Sequence, residues 1–346
     1  MAAEDVRDQL KISQFGLPRL SSVLDVDAIG RRISNAWASA SGEDAPRITA
    51  VDVVAVKPGH RAVIAFRGEG PDGRPVYLYG KLFHDPRKAE FVYRVMLDFV
   101  RFCEDSKAAF QVPVPLAFDP HLRLILHAPA RGEPFARARA AQDVPAWRSL
   151  AIALSQFHFA SVTVKRSFDL SNELTNLGEW AEMVVTAQPG NAELVRRLLD
   201  VLVRASPRMR LETDTIIHKD LHPGHVFIDN RNVTFVDLDE VRRGDATFDL
   251  AHFCTYLNLH ALHNGMDLVE SQALERSFLE EYSAVTGWKR DQRFTYFEIY
   301  SCIKIAKQLV TLRGPHPVED PEEQSRRVHS VLERGYVFAS ELHGSG

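Results

Sequence analysis

A β-hairpin interrupts the helical second half of this 346-residue chain. Residues 215–245 read TIIHKDLHPGHVFIDNRNVTFVDLDEVRRGD, in which two short apolar runs, VFI and VTFVDL, flank the Asn- and Asp-rich turn DNRN. Helical patterns precede this segment and resume after it with FDLAHFCTYL. Because a hairpin brings its two ends together, the polar residues before its first strand should lie beside those after its second strand.

The first half of the chain has a different pattern. Three β-branched or aromatic runs, separated by KPGH and GPDGRP, predict an antiparallel meander over residues 47–83. Residues 84–105 predict a helix, since Phe91, Val95 and Phe99 recur every four residues. A further strand pair follows over residues 112–127, and Pro129, Gly132 and Pro134 then mark a break in the chain.

This order of elements predicts the fold class. Strands with one helix, then a break, then helices with one inserted hairpin indicate an α+β bilobal chain and not an alternating βαβ pattern. We expect residues 1–46 to form a helical segment in two pieces, residues 47–130 a small antiparallel-sheet lobe, and residues 131–346 a larger, mainly helical lobe. The hinge should lie near residues 127–133.

Composition excludes several classes of protein. Lys plus Arg number 42 and Asp plus Glu 46, a balance that argues against a general nucleic-acid binder. The sequence has no run of 18 or more apolar residues, so we expect no membrane span. The mixed-charge sequence MAAEDVRDQLKISQ is unlike a secretory signal. Three well-separated cysteines without a CxxC argue against a disulfide scaffold or zinc ribbon and indicate free thiols in a reducing cytoplasm. The sequence leaves the oligomeric state open.

Titratable side chains cluster at both ends of the hairpin: His218, Asp220, His222 and His225 before it, and Asp237 and Asp239 after it. Two converging carboxylates suit a Mg²⁺-dependent reaction. One carboxylate can orient a hydroxyl group or accept its proton, and the other can bind a metal ion that bridges phosphate oxygens.

HKDLHPGHVFID, followed by VDLDEVRRGDATFDLAHF, resembles the aminoglycoside phosphotransferase and choline kinase family, within the protein-kinase-like fold. The resemblance covers roughly residues 47–310. It implies ATP and Mg²⁺ as cofactors, a cleft between the lobes as the ATP site, and a small hydroxylated acceptor. By this resemblance Asp220 is the catalytic Asp, His218 the histidine of the catalytic loop and Asp237 the metal-binding Asp. Asp245 and Asp249 match the family's Gly-Asp and Asp-Leu-Ala acids.

The first lobe contains residues suited to nucleotide phosphates. Lys81 lies inside the apolar run VYLYGKLF, where a lysine needs a partner, and Glu90 on the next helix is the natural candidate. A solvent-facing lysine on an edge strand is the alternative. The loop KPGHRA lies where the family places its phosphate-covering loop, with Lys57 and Arg61 as cations and Gly59 allowing close backbone approach.

His225 departs from the family pattern, which has Asn at this position. Its imidazole either ligates metal, which would favour Mn²⁺ over Mg²⁺, or braces Asp220 by a hydrogen bond. This departure also motivates a second hypothesis, a weakly active or inactive nucleotide-binding protein with a regulatory role. A third is a metallohydrolase built on the histidines, although the Pro-Gly turn at 223–224 need not aim three rings at one point.

Other residues have predicted structural roles. Asp249 should accept backbone N–H groups of the catalytic loop at a helix start, His218 should orient the loop through backbone hydrogen bonds, and His158 should be a core histidine with a backbone partner.

The acceptor should contact helices within residues 250–313. This region is not strongly acidic, so aminoglycosides are one option among sugars, amino alcohols and other metabolites. The polar and aromatic candidates there are His252, Tyr256, His260, His263, Asp267, Tyr296, Glu298, Tyr300 and Lys304.

Overall fold

The structure, a computed structural model, describes residues 15–41, 44–135, 144–263, 268–312 and 318–344. The chain divides into two compact units, one of residues 1–107 with 111–131 and the other of residues 108–110 with 132–346. Of the predicted N-terminal helical segment, residues 1–14 and 42–43 lie outside the described ranges, and residues 20–24 and 26–41 form two helices.

Up to residue 131 the elements are α1 (Leu20–Leu24), α2 (Val26–Ser41), β1 (Arg47–Lys57), β2 (Arg61–Glu69), β3 (Pro75–Phe83), α3 (Pro86–Ser106), β4 (Phe110–Gln111), β5 (Pro115–Asp119) and β6 (Leu124–His127). Five of the strands form one antiparallel sheet in the order β1-β2-β3-β6-β5. Alternate residues of β2 face the core, and α1 and α2 pack apolar side chains onto the same cluster. The meander predicted over residues 47–83 is confirmed.

Strand β3 lies in the middle of this sheet. Lys81 pairs in register with Val63 on one side and with Ile125 on the other, and it is only 8% exposed. The alternative of a solvent-facing lysine on an edge strand is therefore wrong. The preceding residue must be small, because a Cβ atom on Gly80 would lie 2.7 Å from the ring of Phe66.

Helix α3 begins directly after β3. The Asp85 side chain accepts the backbone N–H of Arg87, and Pro86 occupies the first turn, where a missing N–H costs nothing. The buried face of the helix consists of apolar residues only: Ala89, Val92, Val95, Met96 and Phe99.

From residue 132 onward the elements are β7 (Glu133–Pro134), α4 (Val144–His158), α5 (Leu170–Ala187), α6 (Ala192–Ala205), β8 (Thr215–Ile217), β9 (Val226–Asp229), β10 (Asn232–Phe235), β11 (Arg242–Gly244), α7 (Ala246–His263), α8 (Leu268–Thr286), α9 (Gln292–Val310) and α10 (Pro321–Gly344). Strands β9 and β10 form the predicted hairpin, with Asn230 in the left-handed conformation at its turn (φ 56°). Helices therefore dominate this unit, and the α+β class is confirmed. None of the helices in the described ranges is both long and apolar enough to cross a membrane.

Candidate active site

Asp249, in the first turn of α7, anchors the loop between β8 and β9. Its carboxylate is fully buried and accepts the backbone N–H groups of His218 at 2.6 Å and Lys219 at 2.8 Å. Burial pushes the pKa of Asp249 upward, but hydrogen bonds from His158 and the loop backbone hold it below its ordinary value. The carboxylate is therefore ionised at neutral pH and orders the loop, as its position in the sequence predicts.

His158, at the end of α4, supports this carboxylate from the other side. Its Nε2 lies 3.2 Å from Asp249 Oδ2, and its Nδ1 lies 2.7 Å from the hydroxyl of Tyr282. The Nε2–H of the ring donates to the carboxylate of Asp249, and the Tyr282 hydroxyl is the partner of Nδ1. His158 is buried as predicted, but both partners are side chains rather than the predicted backbone group. No local pattern links these residues, because 91 and 124 positions separate His158 from Asp249 and Tyr282.

Two non-glycine residues adopt left-handed backbone conformations beside the hairpin, Lys219 (φ 67°) and Asp237 (φ 63°). Such conformations are uncommon for L-residues and persist where surrounding contacts hold them. The Lys219 N–H is held by Asp249, and its ammonium pairs with the buried carboxylate of Glu173 from α5. Tyr300 donates a hydrogen bond to the same carboxylate. The loop is thus tied to the helices through both backbone and side chain.

His218 holds the loop against the end of β10. Its Nε2–H donates to the carbonyl of Val236 at 2.8 Å, and its Nδ1 accepts the backbone N–H of Asp220 at 3.4 Å. Both hydrogen bonds are to backbone groups, as expected from the sequence. In this geometry His218 orients Asp220 through the backbone N–H of that residue.

The Asp220 carboxylate is one quarter exposed and pairs with Lys304 of α9, whose Nζ lies 2.6 Å from Oδ1. Burial would raise the pKa of Asp220, but the charge of Lys304 and the nearby imidazoles hold it well below the ordinary value. Asp220 is therefore a carboxylate at neutral pH and can accept a hydrogen bond or a proton. The sequence placed Lys304 only among acceptor-region candidates, and no spacing signal could pair residues 84 positions apart.

His225 contacts both predicted carboxylate residues. Its Nδ1 donates to the backbone carbonyl of Asp220 at 2.8 Å, and its Nε2 lies 3.5 Å from Asp237 Oδ2. Burial lowers the pKa of His225 despite the opposing charges of Asp237 and Asp220, so the ring is neutral at pH 7. His225 therefore braces Asp220 through a hydrogen bond to its backbone carbonyl and not to its carboxylate, and the other ring nitrogen, Nε2, faces Asp237.

The pair of His225 and Asp237 fits a divalent cation. A neutral ring that donates from Nδ1 has its lone pair on Nε2, and that lone pair faces a carboxylate oxygen. Two electron-rich atoms 3.5 Å apart repel each other, and a cation bound to both would remove the repulsion. An oxygen and a nitrogen donor together suit Mn²⁺ and later transition ions better than Mg²⁺, which prefers oxygen.

The imidazoles near Asp220 lie close together, but their ring orientations do not favour a metallohydrolase site. Asp220, His222 and His225 each offer a ligand atom within 4.8 Å of the others. However, the rings of His222 and His225 lie against each other, with centroids 3.7 Å apart and planes inclined by 34°. Because an imidazole binds a metal in its own ring plane, two rings in this arrangement aim poorly at one ion. His218 donates its Nε2–H to a carbonyl, which removes that nitrogen as a ligand.

The predicted nucleotide residues belong to the first unit. Lys81 is buried in β3, and its charge contributes to lowering the pKa of His127, which burial reduces to about 4. Glu90 is instead 53% exposed and pairs with Arg94 one turn along α3. The structure thus places Glu90 toward solvent, and its pairing with Lys81 stays a prediction.

The loop that contains Lys57, Gly59 and Arg61 connects β1 to β2. Lys57 is exposed and Arg61 half-buried, and the two residues pair in register across the turn. Gly59 has a φ of 69°, and its N–H donates to the carbonyl of Phe15 at 2.7 Å. The backbone donor expected to face an anion is therefore bound to the N-terminal segment in this structure.

Residues of the predicted acceptor region have contrasting environments. His252 and Tyr256 lie on α7, where His252 is close to the carboxylate of Asp220 and its ring contacts that of Tyr256. The hydroxyl of Tyr256 donates a hydrogen bond to the side chain of Gln308. Glu298 is buried in an ion pair with Arg290. The side chains of His260 and His263, and all of Asp267, lie outside the described residues.

Residues 80–290 match the model of the phosphotransferase enzyme family. A thermostable mutant of aminoglycoside phosphotransferase APH(4)-Ia has a similar fold, with 13% identity, 89% of this chain and 99% of that chain covered, and a TM-score of 0.58. Choline kinase LicA from Streptococcus pneumoniae has 12% identity, with 88% of this chain and 99% of that chain covered and a TM-score of 0.57. Amicoumacin kinase hAmiN in complex with AMP-PNP, Ca²⁺ and Ami has 14% identity, with 82% of this chain and 88% of that chain covered and a TM-score of 0.58. At such identities these likenesses show the fold alone, which is the kinase-like fold predicted above. Comparison with curated protein sequences finds no significant match.

Proposed function

The chain belongs to the phosphotransferase enzyme family, and on that premise we propose that it transfers the γ-phosphoryl group of ATP to a hydroxyl group of a small molecule. The observation that carries the proposal is the state of Asp220. Its carboxylate is ionised, partly exposed and held by Lys304, and the His225–Asp237 pair lies beside the same loop. A fixed carboxylate next to a cation-binding pair is what phosphoryl transfer requires.

In the proposed mechanism Asp220 orients the acceptor hydroxyl and takes its proton. The acceptor oxygen forms a bond to the γ-phosphorus, the bond from that phosphorus to the β–γ bridging oxygen breaks, and ADP leaves with the electron pair. Lys81 contacts the nucleotide phosphates, and the predicted pairing of Glu90 with Lys81 requires Glu90 to exchange its partner Arg94 for Lys81. Lys57, Arg61 and the Gly59 backbone supply further phosphate contacts once the Phe15 hydrogen bond opens.

Asp237 and His225 would hold the divalent ion. Such an ion, Mg²⁺ or Mn²⁺, would neutralise negative charge on the nucleotide phosphates. The protein's own contribution is positioning: Asp237 is fixed in a left-handed conformation, and the His225 ring is held by the Asp220 carbonyl. His218 and Asp249 keep the loop in the same arrangement.

The charges around Asp220 favour a neutral or anionic acceptor. Lys304 neutralises Asp220, and the nearby carboxylate of Glu173 is neutralised by Lys219 and Arg242. A polycationic aminoglycoside would instead require an acidic surface. We therefore place sugars and hydroxylated acids ahead of amino alcohols, whose amines are cationic at neutral pH, and of aminoglycosides. The three free cysteines support a location in the reducing cytoplasm.

A regulatory protein without transferase activity is the weaker alternative. Such a protein has no chemical need for an ionised Asp220, an Asp237 that faces the His225 imidazole and a buried Lys81 together. Retention of all three residues favours an active enzyme.

The test is a screen for ADP formation with ATP, in Mg²⁺ and then Mn²⁺, against sugars, amino alcohols, hydroxylated acids and aminoglycosides. Asp220→Asn should abolish turnover and leave ATP binding, measured by calorimetry, within about twofold of wild type, because it removes the proton acceptor but no predicted nucleotide contact. Asp229→Asn, on the exposed turn of the same hairpin, is the matched control and should be fully active. A fully active Asp220→Asn enzyme would refute the assignment of the loop.

A further inference from the structure

The ammonium group of Lys304 makes more hydrogen bonds than that of a typical surface lysine. Its Nζ donates to Asp220 Oδ1 at 2.6 Å, to His252 Nε2 at 3.0 Å and to the carbonyl of Lys219 at 3.4 Å. An ammonium has three N–H donors, so these acceptors use all of them. The side chain is 13% exposed, and it reaches the loop from the middle of α9.

His252 is built to accept this hydrogen bond. It is fully buried, and its Nδ1 lies 2.8 Å from the hydroxyl of Ser301, one turn before Lys304 on α9. Burial, with a smaller contribution from Lys304, lowers the pKa of His252 to about 4, so the ring is neutral and its Nε2 carries a lone pair. Two helices, α7 and α9, thus fix the position of a single ammonium.

The two oxygens of the Asp220 carboxylate have different environments. The ion pair with Lys304 is to Oδ1, and the nearest atom of His252 also faces Oδ1, at 3.9 Å. Among the described residues no hydrogen-bond donor reaches Oδ2, although the side chain is partly exposed. Oδ2 is therefore the oxygen that solvent or a substrate can approach.

We propose that Lys304 is a positioning residue that reserves Oδ1 of Asp220 for its ammonium and presents Oδ2 to the acceptor hydroxyl. This inference rests on the proposed phosphotransferase function. The hydroxyl proton passes to Oδ2 as the acceptor oxygen bonds to the γ-phosphorus, and ADP leaves with the electrons of the broken P–O bond. Lys304 itself gains or loses no proton in this step.

The hydrogen bonds of the ammonium explain how a lysine on a distant helix can position Asp220. A lysine side chain has four rotatable bonds and gives precise placement only when its donors are all engaged. Engagement by a carboxylate, an imidazole and a carbonyl removes that freedom before substrate binds, so the cost of ordering is met by folding.

Lys304→Met, which keeps the length of the side chain and removes its charge, tests the proposal. With the best compound from the hydroxylated panel, we expect kcat to fall on the order of 100-fold, as for a misplaced reactive group, while the KM for ATP stays within about twofold. Lys304→Arg retains charge and donors and should recover part of kcat. Lys307→Met, on the same helix with its ammonium over the ring of Trp180, is the matched control and should retain the wild-type kcat.

The outcomes separate this inference from the proposed function. A wild-type kcat in folded Lys304→Met, beside an active wild type, overturns the role of Lys304 and leaves the phosphotransferase assignment standing. A loss that appears in the KM for ATP alone also overturns it, since the residue would then act on nucleotide binding. Wild-type protein that neither binds ATP nor forms ADP with any compound overturns the proposed function and this inference with it. If Lys304→Met does not fold, a kcat for Lys304→Arg equal to that of a folded Lys304→Gln variant overturns the role of the charge.

Discussion

Asp249→Asn should destabilise the second unit and detach the catalytic loop. The carboxylate accepts two backbone N–H groups, from His218 and Lys219, and one ring N–H from His158. An amide of the same shape has one acceptor oxygen and one NH₂ group. In its better orientation the oxygen keeps the bonds to His218 and His158, and the NH₂ group then faces the N–H of Lys219.

The size of the effect follows from this geometry. One buried charge-assisted hydrogen bond is lost, which costs about 1.5–3 kcal/mol, and two others weaken because their acceptor becomes neutral. We therefore expect the free energy of unfolding to fall by about 3 kcal/mol. At roughly 2–4 °C per kcal/mol for a large domain, the thermal midpoint should drop by about 6–12 °C.

The assay is urea denaturation together with a thermal melt. Asp214→Asn is the matched control, since that carboxylate is almost fully exposed and its pair with Arg243 is 3.6 Å long, so both midpoints should stay unchanged. An Asp249→Asn loss below about 1 kcal/mol would refute the view that this carboxylate holds the loop. Turnover should fall as well, because the loop presents Asp220.

The Asp249 carboxylate also predicts that the difference in stability between wild type and Asp249→Asn depends on pH. The pKa of Asp249 is lowered in the folded protein, so the unfolded chain binds this proton at a higher pH than the folded chain does. The stabilisation is complete above the unfolded value of about 3.9 and is lost as pH falls through the lower, folded value. Urea midpoints of wild type and Asp249→Asn should therefore differ by a constant amount at neutral pH and converge below about pH 4. A gap that persists at lower pH would contradict this assignment.

Two further substitutions test the nucleotide and metal residues. Lys81→Met preserves volume in the buried strand β3, and loss of a charged hydrogen bond to phosphate, about 1.5–3 kcal/mol, should weaken ATP binding by roughly 10- to 150-fold in calorimetry. Unchanged affinity in the folded variant would remove Lys81 from the nucleotide site. His225→Asn replaces the nitrogen that faces Asp237 with an amide, so Mn²⁺ binding measured by electron paramagnetic resonance, and the ratio of Mn²⁺- to Mg²⁺-supported rates, should both fall. An unaltered ratio would mean that His225 serves only to brace the Asp220 backbone.

Much of the local chemistry could be predicted from short-range pattern. The alternation of apolar residues and the DNRN turn predicted the hairpin, and a hairpin necessarily joins its ends. For that reason the segments of Asp220 and Asp237 meet at one imidazole ring, that of His225. The position of Asp249 at a helix start likewise predicted its hydrogen bonds to the loop. Each of these features depends on neighbours within one supersecondary unit.

The tertiary structure decided the partners that come from distant segments. Lys304 reaches Asp220 across 84 positions because α9 packs beside the loop, and His158 reaches Asp249 across 91 because α4 does. Periodicity identifies which face of a helix is buried, but it carries no information on which other helix covers that face. Glu90 illustrates the converse, since a plausible spacing from Lys81 did not determine where its side chain points, which is toward solvent and Arg94. The sequence alone therefore predicted which residues perform the chemistry, and packing of the helices determined which charges hold them in place.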